Sequence, residues 1–162
     1  MADTPLGFLL VDAARLYRAR IDRAFTQAGL GLTAGEARTL AWVNLHPGLR
    51  QNALAVKMNV EPMTLVGFLD GLEKVGLILR ETDPSDRRAK IVRLTAAATP
   101  YLDGVTSAAT VARGEALAGF TPAEQDQLKD LLVRIRENLA RDACCRKDSP
   151  REEPAGEERQ AP

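Results

Sequence analysis

The feature that most constrains this chain is a change of hydrophobic period near its middle. Two short helical segments come first, roughly Gln51–Met58 and then Pro62 to about Val75. Two short apolar runs follow, at 77–79 and 91–94, with turn residues between them. Two short helices joined by a tight turn form a helix-turn-helix, and a β-hairpin directly after it is a wing. The pattern predicts a winged helix-turn-helix DNA-binding domain over residues 32–95.

Long amphipathic helices are predicted on both sides of this domain, over residues 5–30 and 96–143. Threonines stand at suitable N-cap positions before these helices: Thr4, Thr95 and Thr121. Pro5 suits a first helical position, and Pro100 allows either a kink or a later start of its helix. Because the apolar stripes exceed what the small wing domain can cover, we expect these helices to form a homodimer interface. A self-contained helical domain packed on its own wing is the alternative.

Composition agrees with a mainly α fold that carries a small β-wing. Hydrophobic residues make up 45 % of the chain and aromatic residues only 4 %, so the core consists mostly of Leu, Val, Ile and Ala. A further helix is predicted after Thr33, which can form a capping box with Glu36. We expect the apolar side of this helix to carry Leu40, Val43 and Leu45. The predicted fold is a winged helix-turn-helix with long N- and C-terminal dimerisation helices.

The net charge is zero, which by itself does not favour a general polyanion binder. The hairpin region nevertheless carries a local group of basic residues: Arg80, Arg87, Arg88, Lys90 and Arg93. Because salt screens charges beyond about 10 Å, the local group matters more than the total. This part of the chain is therefore a candidate for contact with double-stranded DNA.

The second helix of the motif is expected to present its N-terminal residues to base edges in the major groove. The candidates on its exposed face are Glu61, Pro62, Met63, Thr64 and Gly67, followed by Gly71. Thr64 can form a hydrogen bond to a base or a phosphate, and Met63 can contact a thymine methyl group. Two alternatives stay open: Glu61 as a partner of the helix dipole, and Met63 as a core residue.

Arg87 and Arg88 are expected at the tip of the hairpin, where a guanidinium group can enter the minor groove. Lys90 follows two residues after Arg88, just before the second predicted strand. The alternative is a solvated turn in which Asp83 or Asp86 pairs with an arginine. Three polar residues flank the first helix of the motif and suit contacts to DNA phosphates: Arg50, Gln51 and Lys57.

Three stretches, Gly71–Ile78, Asp83–Lys90 and Leu94–Thr95, together resemble the MarR family of bacterial transcriptional regulators. Residues 113–120 are similar to its SlyA branch, and the resemblance covers about residues 5–142. It implies a homodimer that binds a roughly palindromic site, usually as a repressor or as an antagonist of other repressors. It also implies release of DNA by small aromatic or phenolic acids bound between the terminal helices and the wing domains.

Within this resemblance, Arg87 and Arg88 take the place of the family's wing arginines. Relatives often carry an arginine where Gly67 stands and a polar or basic residue where Gly71 stands, so a bidentate arginine–guanine contact is missing here. Redox-sensing relatives have a reactive cysteine near the first helix, and this chain has none there. The adjacent Cys144 and Cys145 are expected to be dispensable. Residues 144–162 are predicted to form a disordered tail.

A crevice between the long helices and the wing domain is the expected place for an effector, with Tyr17 and Trp42 as its large side chains. No cofactor or metal is expected. The only histidine, His46, is expected to end a helix, and no phosphate loop, metal cluster or nucleophile–base motif points to an enzyme. No segment reaches the ~20 apolar residues of a membrane span, so we expect a cytoplasmic protein. A winged-helix module that binds proteins, with little DNA affinity, remains the alternative function.

Overall fold

A computed structural model of the protein describes the backbone of residues 4–145 and the side chains through Arg141. The described residues fall into two compact units, one that ends at Ala118 and one that begins at Gly119. The elements follow in this order: α1 (Leu6–Gln27), α2 (Ala34–Leu45), α3 (Gln51–Met58), α4 (Pro62–Lys74), β1 (Ile78–Asp83), β2 (Asp86–Leu94), a 3₁₀ turn (Ala96–Ala98), α5 (Thr99–Ala116) and α6 (Pro122–Cys145). The two strands form one antiparallel sheet. The predicted fold class, mainly α with a small β-wing, is confirmed.

Short-range hydrogen bonds set several helix ends where the sequence predicted them. The Glu36 N–H donates to Thr33 Oγ1 at 3.2 Å, and the Thr33 N–H donates to Glu36 Oε2 at 2.8 Å. Thr121 and Glu124 form the same reciprocal pair at the start of α6. Asn59 ends α3 in the left-handed conformation, with φ of 50°. Each of these signals acts within about one helical turn, which makes it readable from sequence.

The caps predicted at Thr4 and Thr95 differ in the structure. Helix α1 begins at Leu6, and Pro5 rather than Thr4 is its N-cap residue, because the Leu9 N–H donates to the Pro5 carbonyl. Thr95 is the N-cap residue of the 3₁₀ turn, but its hydroxyl donates to the Gly76 carbonyl at 2.7 Å and forms no capping hydrogen bond. Helix α5 starts later, at Thr99, with Pro100 in its first turn.

One apolar core joins α2, α3, α4 and the hairpin. Its largest fully buried members are leucines and their aliphatic neighbours: Leu40, Leu54, Met58, Leu65, Leu69, Leu72, Leu77, Ile78 and Val92. A second cluster, which includes Phe25, Ala37 and Val105, packs α1 and α2 against α5. Leu45 does not belong to either cluster and is 68 % exposed, which corrects the prediction. It lies about 140° around the helix from Leu40, away from the buried side.

Helices α2 and α4 come unusually close, and a glycine on each side makes this possible. A Cβ atom at Gly35 would collide with the ring of Phe68, and a Cβ atom at Gly71 would collide with the carboxylate of Glu36. Gly71 therefore belongs to the packing of α4 on α2. Its expected position on the DNA-facing side of α4 is wrong.

Three polar contacts attach α1 to the rest of its unit. Arg38 of α2 binds both carboxylate oxygens of Asp22, at 2.6 and 2.9 Å. Arg20 pairs with Glu115 of α5 at 3.1 Å. The guanidinium of Arg18 donates to the carbonyl of Met58, the last residue of α3, at 3.1 Å. Helix α1 is thus linked directly to the end of the first helix of the motif.

The second unit consists of α6, which extends through Cys144 and Cys145. The predicted tail boundary at residue 144 is therefore too early, since no glycine or proline interrupts the sequence before Pro150. The remainder of the predicted tail, residues 146–162, lies outside the described residues, as do the side chains of both cysteines. In the described part of the chain, no helix combines the length and apolar character needed to cross a membrane.

Candidate nucleic-acid interface

Helices α3 and α4 form the helix-turn-helix, joined by the three residues from Asn59 to Glu61. The left-handed Asn59 lets the Val60 N–H reach back to the Ala55 carbonyl at 3.1 Å, which closes the end of α3. Pro62 then starts α4, where its missing N–H group is not needed. The buried leucines of both helices fix the angle between them, so the exposed face of α4 has a defined orientation.

All five candidate residues at the start of α4 lie on the protein surface: Glu61, Pro62, Met63, Thr64 and Gly67. Met63 is 78 % exposed, which rules out the alternative that it is a core residue. Glu61 occupies the N-cap position, but its side chain forms no capping hydrogen bond. The N-terminal part of α4 therefore presents a thioether, a hydroxyl and one carboxylate to solvent.

Arg50 faces the wing in this structure. Its Nε donates to Asp83 Oδ2 at 2.6 Å, and another of its guanidinium nitrogens donates to Ser85 Oγ at 3.0 Å. Its backbone also forms an isolated bridge with Ile91. These contacts fasten the hairpin to the start of α3, a role that sequence reasoning missed because the two partners are 33 residues apart.

Asp83 is the centre of this contact. The hydroxyl and the N–H of Ser85 both donate to its Oδ1, at 2.7 and 2.8 Å. These two bonds, followed by the guanidinium of Arg50, lower the pKa of Asp83 from 3.8 to about 2. The pairing expected between Asp83 and a wing arginine is therefore made by Arg50 instead of Arg87 or Arg88.

The tip of the hairpin consists of Pro84 and Ser85, since Asp83 pairs directly with Asp86. Arg87 and Arg88 lie beyond the tip, as the second and third residues of β2, which corrects their predicted position. The strands are longer than predicted, but their register shifts between Thr82 and Asp83, so residues 87–89 of β2 have no Cα partners on β1 and form a bulge. Arg87 and Arg88 therefore lie in an irregular part of the hairpin.

The basic group seen in the sequence divides into paired and exposed members. Arg80 forms ion pairs with Asp70, at 2.7 Å, and with Glu73. Its hydrogen bond holds the pKa of Glu73 below its usual value. Arg93 pairs with Glu81 at 2.7 Å.

Three exposed members of this group form no ion pair among the described residues: Arg87, Arg88 and Lys90. Lys90 donates to the hydroxyl of Thr82 across the hairpin at 2.9 Å. Among the described residues, the side chains of Arg87 and Arg88 have neither an ion pair nor a hydrogen bond. Fewer basic residues are therefore available for DNA than the sequence suggested, because Arg80 and Arg93 are paired with acidic residues.

A surface pocket of about 330 Å³ lies between the start of α3 and strand β2. Its lining residues are Arg50, Gln51, Asn52, Ala53, Asp86, Arg88, Ala89 and Lys90. The first N–H groups of α3 have no acceptor within the helix, and Arg50 at the N-cap provides none. Free N–H groups beside two cations suit an anion such as a DNA phosphate, although Asp86 opposes it. Asn52 and Ala53 were missed by sequence reasoning, whereas Lys57 is exposed near the other end of α3.

This arrangement matches known regulators. The sequence model of the MarR family matches residues 32–90, the segment that contains α3, α4 and most of the hairpin. A solved structure of a probable transcriptional regulator from Pseudomonas aeruginosa is 32 % identical over 83 % of this chain and 99 % of its own, with a TM-score of 0.64. The chain belongs to the MarR family. It is a DNA-binding transcriptional regulator with the winged-helix fold of that family.

Two further structures define the MarR fold of this chain. The crystal structure of MarR is 27 % identical over 88 % of this chain and 96 % of its own, with a TM-score of 0.74. CouR from Rhodococcus jostii, solved with p-coumaroyl-CoA bound, is 24 % identical over 82 % of this chain and 91 % of its own, with a TM-score of 0.66. At that identity CouR supports the shared fold alone. Within the described residues, no three His, Cys, Asp or Glu side chains come together as a metal site.

The two residues expected in an effector crevice lie on different elements of this MarR fold. Trp42 of α2 is half-buried, packs against the core of the wing domain and stacks on His46, with ring centroids 5.2 Å apart. Tyr17 lies on α1 and is 39 % exposed. Neither residue lines the pocket between α3 and β2. His46 is the C-cap residue of α2, as predicted.

The low pKa of Asp83 predicts a specific acid sensitivity of the wing contact. Because the folded pKa is depressed, the ionised carboxylate stabilises the fold above about pH 4, and this contribution is lost as pH falls towards about 2. Asp83→Asn should therefore lose less stability than the parent protein over this interval. Chemical denaturation at a series of pH values measures the free energy of unfolding of both proteins. Subtracting one from the other removes the contribution of the acidic residues that they share. Ser85→Ala should move the loss to higher pH, and parallel curves for the parent and Asp83→Asn would contradict the assignment.

Proposed function

We propose that this protein is a repressor of the SlyA-like branch that binds a roughly palindromic operator as a homodimer. Residues 32–95 serve as the DNA-binding domain, and residues 5–30 and 96–143 serve as dimerisation helices. The observation that carries the proposal is the shared exposure of the start of α4 and of two unpaired arginines on β2. In this mode of binding, the exposed start of α4 enters the major groove. The arginines of β2 contact the adjacent DNA backbone or the minor groove.

DNA affinity in this proposal comes mainly from the wing and from phosphate contacts. No basic residue occurs between Glu61 and Gly71, so the recognition helix adds no cation along this stretch. Arg88 and Lys90 instead line the pocket at the start of α3, where a backbone phosphate can also accept from helix N–H groups. Gln51 borders the same pocket, and Lys57 lies further along α3. Arg50 supports this surface by holding the wing in place.

Removing either wing arginine should weaken DNA binding regardless of sequence. Arg87→Ala and Arg88→Ala should each reduce affinity by about 1–3 kcal/mol and flatten the salt dependence by about one unit, because each removes one phosphate contact. Titrations against an operator duplex and a scrambled duplex at several salt concentrations measure both effects. Arg93→Ala is the matched control, since Arg93 lies on the same strand but is neutralised by Glu81.

Parental affinity in both arginine variants would contradict this account. Salt-independent or undetectable binding of the parent protein to any duplex would instead favour a winged-helix module that binds proteins.

The homodimer is supported by apolar side chains that a single chain leaves exposed. On α1 these side chains are Leu6, Phe8, Leu9, Val11, Leu16 and Tyr17. On α6 they are Leu131, Leu132 and Leu139. Leu6, Leu9, Leu16 and Tyr17 share one face of α1, and Leu131, Leu132 and Leu139 share one face of α6. Apolar stripes of this kind are typical of an interface, because monomeric proteins rarely expose large apolar patches. A two-fold dimer would bury both stripes and space two recognition helices for a palindromic site.

Sedimentation at micromolar concentration should show a dimer. Leu139 is 66 % exposed in the single chain, so Leu139→Glu should leave the fold intact while weakening the dimer. Lys129→Glu, an exposed polar position on the same helix, is the control and should remain dimeric. A parent protein that sediments as a monomer would overturn the proposal.

Release of DNA by a small aromatic acid completes the proposed function. Its support is the contact of α1 with α2, where Arg38 pairs with Asp22, and the half-buried Trp42 elsewhere on α2. Arg38 also has one buried guanidinium nitrogen, Nε, that forms no hydrogen bond within the described residues. CouR, which shares the fold, binds an acyl thioester with a phenolic ring. We place the effector near Trp42 and Tyr17.

Trp42 is the only tryptophan in the chain, so its fluorescence reports directly on this site. Hydroxybenzoates and p-coumarate should change the Trp42 emission and weaken operator binding over the same concentration range, since one binding event causes both changes. Titration of each acid with both readouts measures the coupling. If a Trp42→Phe variant responds to the acid at unchanged concentration, Trp42 lies outside the site. Absence of any response to these acids would contradict the effector proposal.

A further inference from the structure

Neither packing nor backbone conformation requires a glycine at position 67 of the free protein. Gly35 and Gly71 prevent collisions with Phe68 and Glu36, whereas a Cβ atom at Gly67 would meet nothing within 4 Å, as at Gly7 and Gly114. Gly67 also has an ordinary helical backbone, since its φ is not positive. A glycine inside an exposed helix destabilises it by comparison with alanine. The position therefore carries a disadvantage for folding that packing does not explain.

The missing side chain leaves Met63 uncovered. Met63 and Gly67 are four residues apart, so they lie one above the other on the same face of α4. Side chains of a helix lean towards its N-terminus, and a side chain at position 67 would lie over Met63 and Thr64. With glycine there, Met63 is 78 % exposed, next to an open space at the start of the recognition helix.

The chemistry of this face favours an apolar contact with bases. Between Glu61 and Gly71 there is no arginine, lysine, asparagine or glutamine to form a bidentate pair with guanine or adenine. Asp70 is held by Arg80 at 2.7 Å and is not free for a base. Major-groove edges offer one apolar group, the C5-methyl of thymine, and exposed apolar side chains recognise it by contact.

We propose that Met63, together with the space left open by Gly67, binds the C5-methyl groups of thymines in the major groove. Gly67 allows the axis of α4 to approach the base edges closely, and the flexible thioether of Met63 then fits against the methyl group. This inference rests on the proposed binding of an operator through α4. It makes Met63 and Gly67 the residues that determine which base pairs the helix selects.

Deoxyuridine tests this contact directly, because it differs from thymidine only by the C5-methyl group. The probe is the tightest duplex that the parent protein selects from a random pool, with single thymidines replaced one at a time. At one or two thymines per half-site, the replacement should lower the affinity of the parent protein about fourfold, because burial of one methyl group contributes about that factor. The same replacement should lower the affinity of Met63→Ala less than twofold. Thymines elsewhere in the duplex serve as internal controls.

Gly67→Ala separates the DNA contact from stability. The variant should melt about 2–4 °C above the parent, because alanine favours the helix, yet lose the preference for thymidine over deoxyuridine. Gly114→Ala is the matched control, since Gly114 is also helical with nothing within 4 Å of its Cβ position. It should gain similar stability and keep the preference.

An equal effect of deoxyuridine in the parent and in Met63→Ala, or none at any thymine, would overturn the methyl contact while operator binding stands. Failure of the parent to select any duplex would overturn operator binding and this inference together.

Discussion

The orientation of the DNA-facing surface depends on the burial of one face of α4 against the rest of the wing domain. Three leucines on that face have no exposed surface: Leu65, Leu69 and Leu72. Each buried leucine stabilises the fold by about 1.5–3 kcal/mol, so rotation of the helix is strongly opposed. The close approach of Gly71 to Glu36 also restricts how α4 can pack on α2. Met63 and Gly67 are exposed on the other side of the helix as a consequence.

The wing needs support from outside its own two strands, because a two-stranded hairpin alone is only marginally stable. The contacts of Arg50 with Asp83 and Ser85 provide part of that support, and the Val92 N–H adds a bond to the Leu49 carbonyl at 3.2 Å. Arg50, which the sequence assigned to DNA phosphates, thereby pairs with residues of its own chain. In the proposed mode of binding, its effect on DNA affinity is indirect, through the position of β2 and its arginines.

Net neutrality and a cationic interface are compatible once individual pairs are considered. Acidic residues neutralise Arg80 and Arg93, while Arg87 and Arg88 have no such partner among the described residues. The field near DNA depends on these unpaired charges because more distant ones are screened. The same sorting explains why a count of basic residues over the hairpin overestimates the DNA-facing charge.

The sequence by itself determined the features that depend on neighbours within one helical turn. These include the bounds of α3, the capping boxes of α2 and α6, and the winged-helix order of elements, all of which follow from local hydrogen bonding and hydrophobic period. Only the tertiary structure decided the partner of Arg50, the burial of Gly71 against Glu36 and the exposure of Leu45 and Met63. These properties depend on residues that are distant in sequence and become neighbours only when helices and hairpin pack, so no local pattern encodes them.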